Sequence, residues 1–383
     1  MRIYLDNNAS TPIHPAVLER MDRVLRDVWG NASSIHREGQ AARRVLEEAR
    51  EQVALLINAE PRDVVFTSGG TESNNAAIHG SVLSTGGRCH IVTSSIEHPS
   101  VLEPIRELAR RGHPVSYVRC DSNGLISADE VIDSIRPDTG LVSLMLANNE
   151  TGVIQPVQMV GRYCRQNGIH FHCDAVQAAG RLSLDVEQLS VDTLTLSAHK
   201  LHAPKGVGLL YVRRGAALTS ILSGGMQERR RRAGTENVPL ASAFGAAAGR
   251  AVEGLKEVSA IGRLRDGLEE EIRRRLPFTT INGEAVPRIA NTSNILFRGI
   301  DAESLVIALD LEGVAVSTGS ACSSGRVEPS HVLLQMGLDD ADARSSVRFS
   351  LSRFNTVEEI DHVSLLACEI VGRNLNREMV RSS

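Results

Sequence analysis

"TLTLSAHKLHAPKGVGLLYV", residues Thr193 to Val212, sets a histidine and a lysine between two stretches that read as buried strands. Thr193 to Ser197 alternates hydroxyl and leucine side chains, and Gly208 to Val212 is a short apolar run; both have the length and composition of strands. His199, Lys200 and a Pro-Gly-containing turn lie between them. Burial disfavours the charged form of a lysine, so one held there is biased toward the free amine, which attacks an aldehyde. Lys200 therefore reads as a Schiff-base lysine, against the plainer alternative of a surface lysine in a hairpin turn.

The same strand-loop rhythm continues on the N-terminal side. Asp63 to Thr67 reads as a strand, and "SGGTESNNAAIHG", Ser68 to Gly80, as a turn entering a helix. Ile91 to Thr93 is a further strand, followed by "EHPS" and a helical pattern from Val101 to Arg110. Leu141 to Leu146 ends in "ANNETG", and Gly168 to Cys173 ends at Asp174. This alternation predicts an α/β fold with a mostly parallel sheet, whose polar loops gather at the carboxyl ends of the strands. Glu38 to Asn58 has one apolar helical stripe, and Ala241 to Pro277 reads as one long helix ended by its proline. Beyond it the pattern restarts, with strands at Thr292 to Phe297, Gly313 to Val316 and Val347 to Leu351, and a helix near Asp301 to Asp310. Thr356 and Glu359 have capping-box spacing before a final helix. The expected division is a large domain of residues 12–258 and a small one of residues 1–11 with 259–383.

Composition narrows the function classes. The chain has 383 residues, a formal net charge of -4 and 3% aromatics, so neither a basic surface nor a base-stacking platform for nucleic acid is expected. No apolar run reaches the roughly 20 residues of a spanning helix, and "MRIYLDNNASTP" has no apolar h-region, so export is not expected. Six widely scattered cysteines without a CxxC pair suggest a reducing cytoplasm in which an important cysteine acts as a thiol. The short basic run Arg229 to Arg232 reads as a solvated or subunit-contact segment.

Several residues bear chemistry. Asp174 at a strand end suits the carboxylate that a pyridoxal phosphate enzyme places against its pyridinium nitrogen. The rival is a metal site, since His170, His172 and Asp174 alternate along one strand face. Gly69, Gly70 and Thr71 at a helix start form a phosphate cradle of free N–H groups and a hydroxyl. His98 follows a strand, where it can lie over a flat ring or move protons. Asn149 and Gln177 are amides beyond strand ends. Cys322 lies in "STGSACSSG", a Gly/Ser segment that argues for an accessible thiol over a buried one. Arg348 alternates against Val347 and Phe349, so it faces away from them and can clamp a carboxylate.

Together these residues resemble the cysteine desulfurases of the class V aminotransferase family, fold-type I pyridoxal phosphate enzymes. The likeness runs from "YLDNNASTP" to "SVRFSLSRFNT" through "SGGTESNN", "EHPSV", "NNETG", "CDAVQ", "SAHKLHAPKG", "RAGTENV", "GSACSSG" and "VRFS", in the same order. It implies a mostly parallel sheet of the seven-stranded type sandwiched by helices, with a smaller α/β C-terminal domain. By the same resemblance Lys200 would carry pyridoxal 5'-phosphate, with Asp174 on the ring nitrogen, Gln177 on the ring hydroxyl and His98 stacked on the ring. Gly70, Thr71, Ser197 and His199 would hold the phosphate, joined by Thr235 across the interface of a homodimer. Asn149 and Arg348 would bind L-cysteine, with Asn8 nearby. Cys322 would become a persulfide, in a longer loop of the type that reaches a sulfur-acceptor protein; L-alanine would be the other product. Iron-sulfur cluster assembly, tRNA thiolation, cofactor synthesis and DNA sulfur modification are all destinations such an enzyme can serve. The alternatives are a selenocysteine lyase or another class V lyase or aminotransferase. Arg230 departs from the family pattern, standing where glycine is common, as do Ala32, Ala203 and Ser352 at positions usually held by proline or glycine.

Overall fold

Seven short runs pair into one sheet, in the spatial order Val64–Thr67, Gly208–Val212, Thr193–Ser197, His170–Asp174, Thr139–Met145, His90–Ser94 and Val115–Val118. Gly208–Val212 is antiparallel to both its neighbours, and all other pairings are parallel. The computed structural model describes residues 2–318 and 328–382. Val64–Thr67, His90–Ser94, Thr193–Ser197 and Gly208–Val212 are buried at every position, which requires cover on both faces of the sheet. Successive residues supply that cover alternately. Val64, Val92, Val142 and Leu209 pack into the largest apolar cluster, whereas their neighbours Val65, Ile91, Leu141 and Leu210 join smaller clusters on the other face.

The expected strands Thr193–Ser197 and Gly208–Val212 form with the expected bounds. A side chain at Gly208 would lie 2.6 Å from the backbone of Gly69, so the glycine lets the loop before the helix Gly70–Ser84 rest directly on the strand. The single helix expected from Ala241 to Pro277 is instead two, Val238–Gly254 and Val258–Arg275, joined by a 3-10 turn at Leu255–Glu257. The Arg353 guanidinium occupies the place a side chain at Gly254 would take, a contact arriving from a hundred residues later.

Past this break a second core forms. Thr292–Leu296 pairs antiparallel with Ser346–Ser350, flanked by Thr280–Ile281 and Ser317–Thr318. The chain's start returns here: Ile3–Tyr4 pairs with Val314–Ala315, and Asp6 bridges to Ser350. Ile3, Leu5, Ile295, Leu305, Val347 and Phe349 pack together in this second apolar cluster. Thr356 and Glu359 make reciprocal 3.3 Å capping bonds at the start of the last helix, Val357–Ser382. Among the described residues no helix is long and apolar enough to cross a membrane.

Candidate active site

The carboxyl ends of the central strands and the first turn of the helix Gly70–Ser84 converge on a cavity of about 360 Å³. Asn8, Gly70, Thr71, His98, Asn149, Asp174, Gln177, Ser197, His199, Lys200 and Arg348 all line it. Residues drawn from seven parts of the sequence thus meet where a parallel sheet collects its ligands.

Lys200 ends the 3-10 turn Ala198–Lys200 that follows the strand Thr193–Ser197. Its Nζ donates to the carbonyl oxygens of Asn8 and Ala9, the latter at 2.8 Å. Burial, reinforced by the charges of Arg181 and Arg348, pushes the amine down to about 7, against the pull of Asp6 and Asp174. A lysine so placed holds a large share of nucleophilic free base near neutrality. Only three lysines occur in the chain, and the other two, Lys205 and Lys256, are exposed. That scarcity was a sequence signal for Lys200 that motif reading passed over.

Asp174 is held by two donors: Asn74 Nδ2 at 2.8 Å from Oδ2, and the Val176 N–H at 3.0 Å from Oδ1. Asn74 also donates to Ser100 Oγ at 2.8 Å, and Ser100 lies 2.8 Å from His98 Nδ1. Asn74 and Ser100 escaped the sequence reading, although both lie inside the quoted stretches "SGGTESNN" and "EHPSV". Their signal was position: Asn74 is one helical turn past Gly70, on the same face. His98 caps the helix Pro99–Arg110, its Nδ1 accepting from the Ser100 N–H, and burial lowers its pKa so that the ring stays neutral at pH 7.

The histidines weighed as metal ligands have other partners. His172 Nδ1 lies 3.0 Å from Thr193 Oγ1, and its Nε2 3.0 Å from Asn74 Oδ1. Burial pushes this ring down to about 3, so it is neutral. His170 Nε2 meets the same threonine hydroxyl at 3.2 Å.

At the other end of the cavity, the first N–H groups of the helix Gly70–Ser84 have no partner within it and share its positive pole. A Cβ on Gly70 would come within 3.2 Å of Val176 Cγ2, so the glycine keeps that approach open. Thr71 and Ser197 add hydroxyls, and His199 a ring that burial and Lys200 push down to about 4. Gln177 Nε2 donates to Asn8 O at 2.9 Å, leaving its buried Oε1 without a partner. A carboxylate, an amine, an unpartnered acceptor and an anion-accepting helix start in one cavity fit an aromatic aldehyde carrying a phosphate and a basic ring nitrogen.

The substrate-binding candidates sit at the junction with the second core. Arg348 pairs with Asp6 at 2.8 Å and donates to the Asn149 carbonyl at 3.1 Å; its buried Nε has no partner. The Asn8 side chain is taken up within the protein, donating to Asn149 O at 3.0 Å and to Thr292 Oγ1 at 2.9 Å. What Asn8 presents to the cavity is its carbonyl, bonded to Lys200 and Gln177.

Thr235 does not line this cavity; it is exposed on the loop before the helix Val238–Gly254. The preceding Glu228, Arg229 and Arg230 are all left-handed, with φ of 42°, 55° and 67°. Glu228 anchors them through a buried pair with Arg50 at 2.7 Å, and Arg232 pairs with Glu72 on the helix Gly70–Ser84 at 2.8 Å. Cys322 lies outside the described residues. Of the remaining cysteines, burial pushes the thiols of Cys120, Cys164 and Cys368 up to about 11, 12 and 11, and raises those of Cys89 and Cys173 as well.

Comparison with known proteins agrees with this geometry. The Aminotransferase class-V family matches residues 3–363. "Cysteine desulfurase 2" of Trichormus variabilis is 46% identical over 371 residues, covering 97% of this chain and 93% of that protein. Among solved structures, a "NifS-like protein" superposes with a TM-score of 0.91 at 37% identity, over 97% of this chain and all of that one (100%). Another, described as "SspA in complex with cysteine", gives a TM-score of 0.82 at 34% identity, over 93% of this chain and 100% of its own.

Proposed function

The chain belongs to the class-V aminotransferase family and is a pyridoxal phosphate-dependent cysteine desulfurase, and from that premise we propose which of its residues do the work. Lys200 is the residue that carries the cofactor and takes the substrate's α-proton at Nζ. The observation that carries this assignment is the presence, in one cavity, of its partly deprotonated amine, the Asp174 carboxylate and the helix start at Gly70 and Thr71.

Pyridoxal phosphate, when bound, supplies an electron sink next to the substrate's α-carbon. The protein's contribution is position and proton handling. Asp174, oriented by Asn74 and the Val176 N–H, would face the ring nitrogen. Gln177 would use its unpartnered Oε1 on the ring hydroxyl, and the neutral His98 ring would stack and relay protons. Gly70, Thr71, Ser197 and His199 would hold the phosphate. Arg348 would hold the cysteine carboxylate beside Asn149, its buried Nε finding there the acceptor it lacks within the protein. Asn8 acts through its carbonyl, which positions the Lys200 amine and the Gln177 amide.

Cys322 is the proposed sulfur-accepting thiol, converted to a persulfide as L-alanine leaves. The raised thiols of the other cysteines support this reading, since a thiolate is the nucleophilic form. The persulfide would pass to an acceptor protein in a reducing cytoplasm. The exposure of Thr235, on a loop tied to the phosphate-cradle helix by Arg232–Glu72, supports a homodimer in which it completes the partner's phosphate site. The second apolar core, drawn wholly from residues 1–11 and 259–383, supports the division into residues 12–258 and residues 1–11 with 259–383, although Ile289, Val332, Leu333, Met336 and Ala343 pack into the first core.

Borohydride reduction of the holoenzyme followed by peptide mapping should label Lys200 alone. Cys322→Ala should keep the cofactor's yellow colour and lose persulfide formation and alanine release. A label on Lys205 or Lys256, or normal alanine release by the variant, overturns the respective assignment.

A further inference from the structure

Lys200 also borders a second, smaller cavity of about 60 Å³, at the junction of the two cores. Every ionisable group that lines it is basic, with His14, Arg181, His202, Arg250 and Arg353 joining Lys200, beside the neutral polar residues Asn7, Thr11, Asn291 and Ser352. No carboxylate lines it. Arg353 has one acidic partner, Glu257 at 3.4 Å, a half-exposed side chain at the rim. Arg181 donates only to neutral oxygens, Gln177 O at 3.0 Å and Asn8 Oδ1 at 3.4 Å. Among the described residues the Arg250 guanidinium has no hydrogen-bond acceptor and no ion pair. Val17, Leu201, Ala247 and Ala251 make up much of the remaining wall, so the cations share a largely apolar surface on which only Arg353 has an acidic partner.

Charges held in that way repel each other and favour a compensating anion. The neighbouring groups register the repulsion. Burial, then Arg250 and Arg353, lowers His14; His202 is pushed to about 4 by burial and further by Arg181, Arg353 and His14, despite its bond to Pro12 O. Arg181 itself is pushed down to about 10 by burial. At about 10–15 Å³ of such volume per water, the cavity holds a few waters or one small anion, and no phosphate ester.

We propose that this cavity binds one small anion of halide size between the guanidiniums of Arg181, Arg250 and Arg353, and that its charge offsets the repulsion of Lys200 by Arg181. The other charged groups acting on Lys200 are Asp6, Asp174 and Arg348, and the rings of His98 and His199 are neutral near pH 7. Occupancy therefore favours the protonated state at Lys200, and loss of the anion favours the free base. The site is independent of any cofactor; only its effect on Lys200 rests on the function proposed above.

Bromide is the probe. Crystals of the holoenzyme grown in bromide should show an anomalous peak among the three guanidiniums, whichever lysine carries the cofactor. In solution, the pH midpoint of the bound cofactor's absorbance should be higher in bromide than in gluconate at equal ionic strength. The expected rise is on the order of one pH unit, as for one charge roughly 10 Å away through a protein interior of effective dielectric near 20. Arg250→Gln, which breaks no hydrogen bond among the described residues, should abolish the difference. Absence of the peak overturns the site. A peak with an unchanged midpoint, or a bromide effect that persists in the variant, overturns the coupling to Lys200.

Discussion

Asn74 Nδ2 donates to Asp174 Oδ2 at 2.8 Å from the same helix whose first turn, at Gly70, is the proposed phosphate cradle. One rigid element therefore sets the distance between the two ends of the proposed cofactor site. The amide cannot be reversed without loss, because its Oδ1 faces His172 Nε2 at 3.0 Å and the neutral ring donates there. Thr193 in turn approaches His172 Nδ1, so the neighbouring strand Thr193–Ser197 orients the carboxylate through a ring and an amide.

Replacing Asn74 by Asp sets a second carboxylate against Asp174 and removes the donor to it. Like-charge repulsion should weaken cofactor retention by about tenfold or more, with Asn74→Ala intermediate. Equilibrium dialysis of the holoenzymes, read by cofactor absorbance, checks the order. Equal retention by wild type and Asn74→Asp would remove Asn74 from the site.

Arg348→Ala removes the proposed carboxylate clamp and leaves Asp6 unpaired. KM for cysteine should rise by roughly 10- to 100-fold, as expected for a lost charge-assisted bidentate contact, with a smaller fall in kcat. Arg348→Lys should recover only part of this, since an ammonium lacks the planar fork. Steady-state alanine release measures both.

Glu97, fully buried beside the site, is pushed up to about 8 by burial, with Asp174 adding to the shift. Its Oε1 accepts from Ser94 Oγ at 2.6 Å and the Met145 N–H at 2.9 Å, and its Oε2 has no partner. A carboxyl with a raised folded-state pKa binds its proton more tightly folded than unfolded. Its favourable contribution is full below the ordinary value of 4.5 and is lost as pH rises toward about 8. Glu97→Gln, a mimic of the neutral acid, should escape that loss. The apo variant should gain stability relative to wild type between pH 5 and 8, by on the order of a few kcal/mol, in denaturant titrations at each pH. A difference independent of pH would mean that Glu97 titrates normally.

Arg230 is exposed and left-handed, at φ 67°, where its side chain makes no hydrogen bond among the described residues. Arg230→Gly should stabilise the fold by about 1 kcal/mol by relieving the backbone, read as a higher denaturation midpoint with unchanged slope. Glu228→Ala is the opposing control. It removes the buried partner of Arg50, which lies 5.0 Å above the Phe66 ring and would keep only the half-exposed Glu47 at 3.2 Å, and should destabilise by about 2–4 kcal/mol.

Most of the α/β rhythm and most of the polar residues lining the cavity were legible before folding, because strand runs and polar loop motifs are local patterns. Errors fell where a distant contact intervened. The apolar spacing from Ala241 to Pro277 runs unbroken through Gly254, and nothing nearby announces that Arg353 will pack there. The resemblance set Asn8 near the substrate but could not show that its side chain is engaged by Asn149 and Thr292, residues that meet it only after the chain's start joins the second core.

Residue types and their local spacing alone determined the chemistry available: an amine in an apolar setting, a carboxylate at a strand's end, glycines before a helix. Tertiary structure decided the strand order, and with it the nearness of Lys200 to Asp174, the Asn74 relay, the lowered lysine pKa and the unbalanced cluster of Arg181, Arg250 and Arg353. Hydrophobic periodicity records which face of an element is buried but not against what. Proton affinities and charge balance depend on neighbours hundreds of residues away in the chain.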